Sequence, residues 1–131
     1  MHQHRRQRRA RKTSPAERRR RNAAKRQAGL AALQAAYPTL FDPANPVPLA
    51  LGITKQLSAA RQAGTLVLAA TPMGLALSGW VNSDRYIAAL AAGGFRTGLD
   101  GQPTEPVSPE HVAVAAAMLR RRAKRKPAEA G

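Results

Sequence analysis

The chain has 131 residues, with 22 Lys+Arg against 7 Asp+Glu, a formal net charge of +15 and no cysteine. That length suits one domain with short appendages, and the missing cysteines exclude a disulfide scaffold, thiolate metal sites and cysteine catalysis, which fits a reducing cytoplasm. Aromatic residues at 4% cannot fill a large sandwich or barrel, so the expected core is small, helical and built from Leu and Ala.

Charge divides the chain into three. Residues 1–26 hold 12 Lys+Arg and a single acid, Glu17, for a net +11; residues 27–119 net −1; residues 120–131 net +5. Blocks of like charge without apolar residues are expected to stay disordered until they meet an anion. The reading is therefore a disordered basic arm over 1–26 running into the first helix, a near-neutral domain over 27–119, and a basic tail over 120–131. The N-terminus has no apolar stretch resembling a secretory leader, and no apolar run approaches the ~20 residues of a membrane span. Arg18, Arg19, Arg20, Arg21, Lys25 and Arg26 in the first arm and Arg120, Arg121 and Arg122 in the tail are candidate phosphate contacts. Such contacts position a protein on nucleic acid without identifying bases.

In chain order, Ala23 to Ala36 is rich in helix formers, with Leu30, Leu33 and Tyr37 on one stripe and Pro38 ending the helix. Asp42 to Pro46 reads as a loop. Pro48 is expected to open a second helix carrying Leu49, Ile53, Leu57 and Ala60, closed by Gly64. Leu66 to Leu68 reads as a short helical turn. Thr71-Pro72 is an N-cap with proline at N1 for a third helix bearing Met73, Leu77, Trp80 and Val81. Asn82-Ser83-Asp84 caps a fourth, with Tyr86, Ile87 and Leu90 inward and Gly93-Gly94 as its stop. Phe95 to Leu99 and Thr104 to Val107, joined at Asp100-Gly101, read as a β-hairpin. Ser108-Pro109-Glu110-His111 starts a last helix using Val112, Ala115, Met118 and Leu119. The expected fold is mostly α: about five helices, one small hairpin and two basic arms.

Catalytic chemistry is not expected. The acids of the domain are scattered at turns and helix starts, and no phosphate-cradling, nucleophile-elbow or zinc-protease motif is present. His2 and His4 lie in the arm, and His111, without a ligand partner nearby, reads as a capping or surface residue. No metal, cofactor or small-molecule substrate is implied. The four cations of the near-neutral domain, Lys55, Arg61, Arg85 and Arg96, join the candidate phosphate contacts.

Three stretches are more specific: Pro48-Leu49-Ala50-Leu51-Gly52-Ile53, then Ser83-Asp84-Arg85-Tyr86-Ile87, then Phe95-Arg96-Thr97-Gly98-Leu99-Asp100-Gly101 followed by Ser108-Pro109-Glu110-His111. In that order and spacing, with Ala36-Tyr37-Pro38-Thr39-Leu40-Phe41 upstream, the chain resembles the ProQ/FinO domain family of bacterial RNA chaperones over residues 27–119. The resemblance implies a small helical domain whose concave face binds structured small RNAs and mRNA 3′ ends at terminator-like hairpins with a single-stranded 3′ end, in post-transcriptional regulation. It carries RNA contact over to Tyr86, Arg96 and the neighbouring Arg85, and places Thr71 at a helix start facing the RNA backbone. Ala50 stands where the family usually has lysine, Gly74 and Ser78 near usually basic positions, and Gly98 in place of a common acid. The domain's own phosphate grip is thus lean, and the arms would supplement it.

Plain alternatives stand beside each of these. Arg96 could be an ordinary surface strand arginine, Tyr86 a core residue, and Thr71 a structural cap; Trp80, with apolar neighbours, reads as core. Two other functions remain in view: a ribosome-associated or ribosome-assembly protein gripping rRNA through its arms, and a DNA binder without shape preference. The narrow Ala-rich stripes and self-repelling arms predict a monomer.

Overall fold

The computed structural model describes residues 14–125. Helix α1 spans Pro15–Ala36, beginning well before the expected Ala23. The Ser14 hydroxyl accepts the Glu17 N–H at 3.1 Å and Pro15 takes the first helical position. This Ser-Pro-x-Glu start, a cap with an acid at N3, outweighs the mutual repulsion of the arginines behind it. Arg18 to Arg26 are therefore helical, not disordered, and residues 17–28 are all exposed. The rest of the expected arm, 1–13, lies outside the described residues, as do the last residues of the tail, 126–131.

Pro48 opens no helix. Its carbonyl accepts the Thr97 N–H at 2.8 Å, and the Ala50 N–H donates to the Thr97 carbonyl at 2.9 Å, so residues 48–50 run extended beside the hairpin as a parallel bridge. Helix α2, Ile53–Ala63, starts only after Gly52, which turns the chain at φ 83°, and ends at Gly64 at φ 82°. Residues 65–69 form no helical turn. Helix α3, Ala70–Val81, has Ala69 as its N-cap, with Thr71 already inside the first turn and Pro72 behind it. Proline is tolerated there because first-turn N–H groups have no intrahelical partner. Helix α4, Asp84–Ala91, is capped by the Ser83 hydroxyl as expected. Strands β1, Phe95–Thr97, and β2, Pro103–Pro106, pair antiparallel with one irregularity in register. Helix α5, Pro109–Arg125, starts with the His111 N–H on the Ser108 hydroxyl and carries Arg120 to Arg125 in its last turns. That part of the expected tail is helix.

The core gathers Leu33, Leu40, Phe41, Leu49, Leu57, Met73, Leu77, Trp80 and Tyr86. Phe41 and Trp80 meet edge to face, 5.6 Å between ring centres. Helix α1 packs on α3 at Gly29, where an added Cβ would lie 2.3 Å from the Pro72 carbonyl oxygen. Gly29→Ala should therefore destabilise the fold. Helix propensity favours alanine by about 1 kcal/mol, but the obstacle is backbone, which cannot swing aside, and overpacking of this kind costs about 1–3 kcal/mol or more. Thermal unfolding measures the balance; a raised midpoint would show that α1 can shift on α3.

Candidate nucleic-acid interface

The pleat of β1 turns Phe95 outward, 62% exposed, and Arg96 inward, 7% exposed. The Arg96 guanidinium donates through Nη1 to the Leu49 carbonyl at 2.9 Å, and its Nη2 lies 3.0 Å from Nδ1 of His111. A guanidinium can only donate, so Nδ1 accepts and the imidazole carries its proton on Nε2, a tautomer assigned from the hydrogen bonding. On the other side of the same residue, the Leu49 N–H donates to the Tyr86 hydroxyl at 3.0 Å. The Leu49 residue is thus gripped at both polar groups, and the grip ties the 48–50 segment to α4, β1 and α5.

Tyr86 and Arg96 are the two residues singled out most strongly by sequence, and the structure brings them together inside the protein. Burial raises the Tyr86 pKa, against lowering by its bond to Leu49 and by the nearby Arg96 charge, so the phenol stays neutral. Tyr86→Phe keeps the ring packed but strands the Leu49 N–H, and should cost about 1–3 kcal/mol. Chemical denaturation checks this; an unchanged midpoint would mean water replaces the hydroxyl.

Beside Arg96 and His111 opens a hollow of about 200 Å³, otherwise lined mainly by apolar groups such as Leu90, Val114 and Met118. No acid pairs with Arg96 among the described residues. A salt bridge joins Arg122 to Asp84 at 2.7 Å, and the same Arg122 Nη1 donates to the Asn82 carbonyl at 2.7 Å. Arg122, expected to contact RNA, is thus a strap between α5 and the start of α4.

The other candidates separate. Arg18, Arg21, Asn22 and Lys25 border one shallow depression on α1, at positions one and two turns apart. Arg19, Arg20 and Arg26 are exposed on the same helix, and Arg120 and Arg121 are exposed on α5, where Lys124 and Arg125 join them. Lys55 is exposed on α2, whereas Arg61 is half-buried with its Nε unpartnered. Thr71 is exposed, but it is not the cap of α3. Arg85 reaches back to the Pro43 carbonyl at 2.7 Å. The sequence reading places Leu49 in a helix and His111 as a capping or surface residue and joins neither to Arg96: His111 lies fifteen residues from Arg96, a separation that no helical or strand period connects.

A family model described as the ProQ/FINO family matches residues 23–131. The chain belongs to the ProQ/FinO family. Among solved structures it is similar to a FinO-like RNA chaperone from Neisseria meningitidis, with 26% identity and a TM-score of 0.62, over 84% of this chain and 86% of that one. No curated protein matches the chain. The ProQ/FinO match begins inside α1, so the Arg18–Arg21 turn precedes it, while the Arg96 network and the basic end of α5 fall within it.

Proposed function

We propose that the chain is an RNA-binding chaperone that takes structured RNAs, such as small RNAs and mRNA 3′ ends, at a hairpin with a single-stranded 3′ end. The observation that carries this reading is Arg96, a buried guanidinium whose partners are a carbonyl and a neutral imidazole. Arginine is rarely buried without a carboxylate, because desolvation then goes uncompensated. A positive charge held in that state at the wall of a hollow suits an incoming phosphate. The unpaired 3′ end of the RNA supplies one in a form thin enough to enter, while the exposed cations of α1 and α5 hold the duplex backbone. The protein works in the cytoplasm and as a monomer; light scattering of nuclease-treated protein should give the mass of one chain, and a stable dimer would contradict this.

The test is competition at fixed salt for a labelled hairpin with a 3′ tail. Unlabelled tailed hairpin should displace it best, blunt hairpin less for want of an unpaired 3′ end, and B-form DNA less because A-form geometry and 2′-hydroxyls distinguish RNA by shape. Equal displacement by all three would overturn the reading and favour a protein that grips rRNA or other polyanions through charge alone.

A further inference from the structure

A second hollow, of about 350 Å³, shares no lining residue with the one beside Arg96. Leu30 of α1, Pro43 and Pro46 of the loop, and Trp80 of α3 form its apolar walls, and Arg26 and Arg85 bring charge from α1 and α4. The size is near the lower end of small-molecule sites, roughly 300–1,000 Å³.

Three features constrain its occupant. Arg85 is steadied by the Pro43 carbonyl at 2.7 Å, which leaves further guanidinium donors unused by that bond. The Arg26 side chain lies across Gly79, close enough that an added Cβ there would sit 2.7 Å from its Cδ. Trp80, only 7% exposed, has a buried indole N–H with no hydrogen-bond partner among the described residues. That N–H is closed to solvent, so Trp80 offers an occupant of the hollow apolar wall and not a donor. The one acid in the lining, Asp84, is offset by Arg122.

We infer that this hollow receives one unpaired base of a bound RNA, with the adjoining phosphates on Arg26 and Arg85. A free phosphate would leave the proline and indole walls unused, and an aliphatic group would leave both cations unmet. A nucleotide answers both: a flat apolar face for the walls and a charged backbone beside it for the cations. The inference rests on the proposed RNA binding but concerns a place outside the Arg96 network.

Trp80 is the only tryptophan of the chain, so its emission reports on this hollow. Full-length protein is titrated with a hexameric oligoadenylate, with an abasic hexamer of the same backbone, and with a polyglutamate peptide. Trp80 emission is followed throughout, and anisotropy of end-labelled ligand records binding independently. Oligoadenylate should change the emission saturably and the abasic hexamer should not. Arg85→Ala should weaken the emission-linked step by about tenfold, the low end of what a hydrogen bond to a charged group contributes. Gly79→Ala should do the same by pushing Arg26 aside, while its thermal midpoint holds or rises because alanine is the better helix former. Binding by anisotropy without an emission change, or an equal change with the abasic hexamer, overturns the base site. A response to polyglutamate alone would make the hollow a protein-docking surface and overturn it too. Absence of any RNA binding by anisotropy removes the RNA-binding reading itself.

Discussion

Arg96→Met should abolish the preference for a tailed hairpin while leaving the protein about as stable as the wild type. Methionine fills much of the arginine stem's volume and removes a charge that has no acidic partner among the described residues. Replacing a buried charge by an apolar side chain of similar size is often neutral or stabilising, because the desolvation cost disappears with it. Against that gain stands the Leu49 carbonyl, left without its donor, at about 1–3 kcal/mol. The two terms nearly cancel, so the midpoint of unfolding should move by no more than about 1 kcal/mol. Arg96→Ala adds a cavity and should be clearly destabilised. For RNA the terms do not cancel: a hydrogen bond to a charged group contributes about 1.5–3 kcal/mol, roughly a ten- to hundredfold preference. The measurement pairs denaturation of both variants with the hairpin competition. If Arg96→Met keeps the preference for the 3′ tail, Arg96 serves the fold alone and the hollow beside it takes no RNA end.

What could and could not be read from the sequence follows from the range of the forces involved. Local signals located α4, the hairpin turn and the start of α5, because Ser83, Asp100-Gly101 and Ser108 act through bonds within a few residues of themselves. Pro48 misled because its preference for the first turn of a helix is weak beside the pairing of residues 48–50 with Thr97, a contact nearly fifty residues away. Arg96 could not be oriented from local pattern for a related reason. On a three-residue strand, hydropathy alone would bury Phe95 and expose Arg96, yet the polar groups of Leu49 and His111 reverse the pleat. The motif resemblance picked out both Tyr86 and Arg96, but only tertiary structure shows that they meet at one residue's backbone. In α1 the run of arginines hid a capped helix start, since net charge speaks for the whole segment and Ser14 and Glu17 speak for one turn.

That α1 is helical through its basic stretch changes what its cations are expected to do. Arg18, Arg21 and Lys25 sit three and four residues apart on one face, held there before any RNA arrives. Changing Arg18, Arg19, Arg20, Arg21 and Lys25 to Gln should weaken binding to tailed hairpin, duplex RNA and unstructured RNA alike. Each phosphate neutralised adds roughly 0.7–0.9 to the salt slope, so the plot of log affinity against log salt should flatten by as much as about 4 units. Tail preference should survive, because none of these side chains belongs to the Arg96 network. The fold should gain slightly if anything, since like charges at helical spacing cost about 0.2–0.5 kcal/mol per pair. A second variant separates charge from its presentation. Asn22→Pro keeps every cation but breaks the helix among them, at about 3 kcal/mol of local helix stability. If the count of cations alone mattered, this variant would bind as tightly as the wild type. With a preformed helix, the broken arm must be ordered on the RNA at a cost in entropy. Asn22→Pro should therefore keep the wild-type salt slope and lose affinity for all three RNAs together. Salt titrations of the three proteins against the three RNAs measure both quantities. Unchanged affinity in Asn22→Pro would return α1 to the role of a flexible polycation, and loss of tail preference in the glutamine variant would move shape recognition out of the domain and into α1.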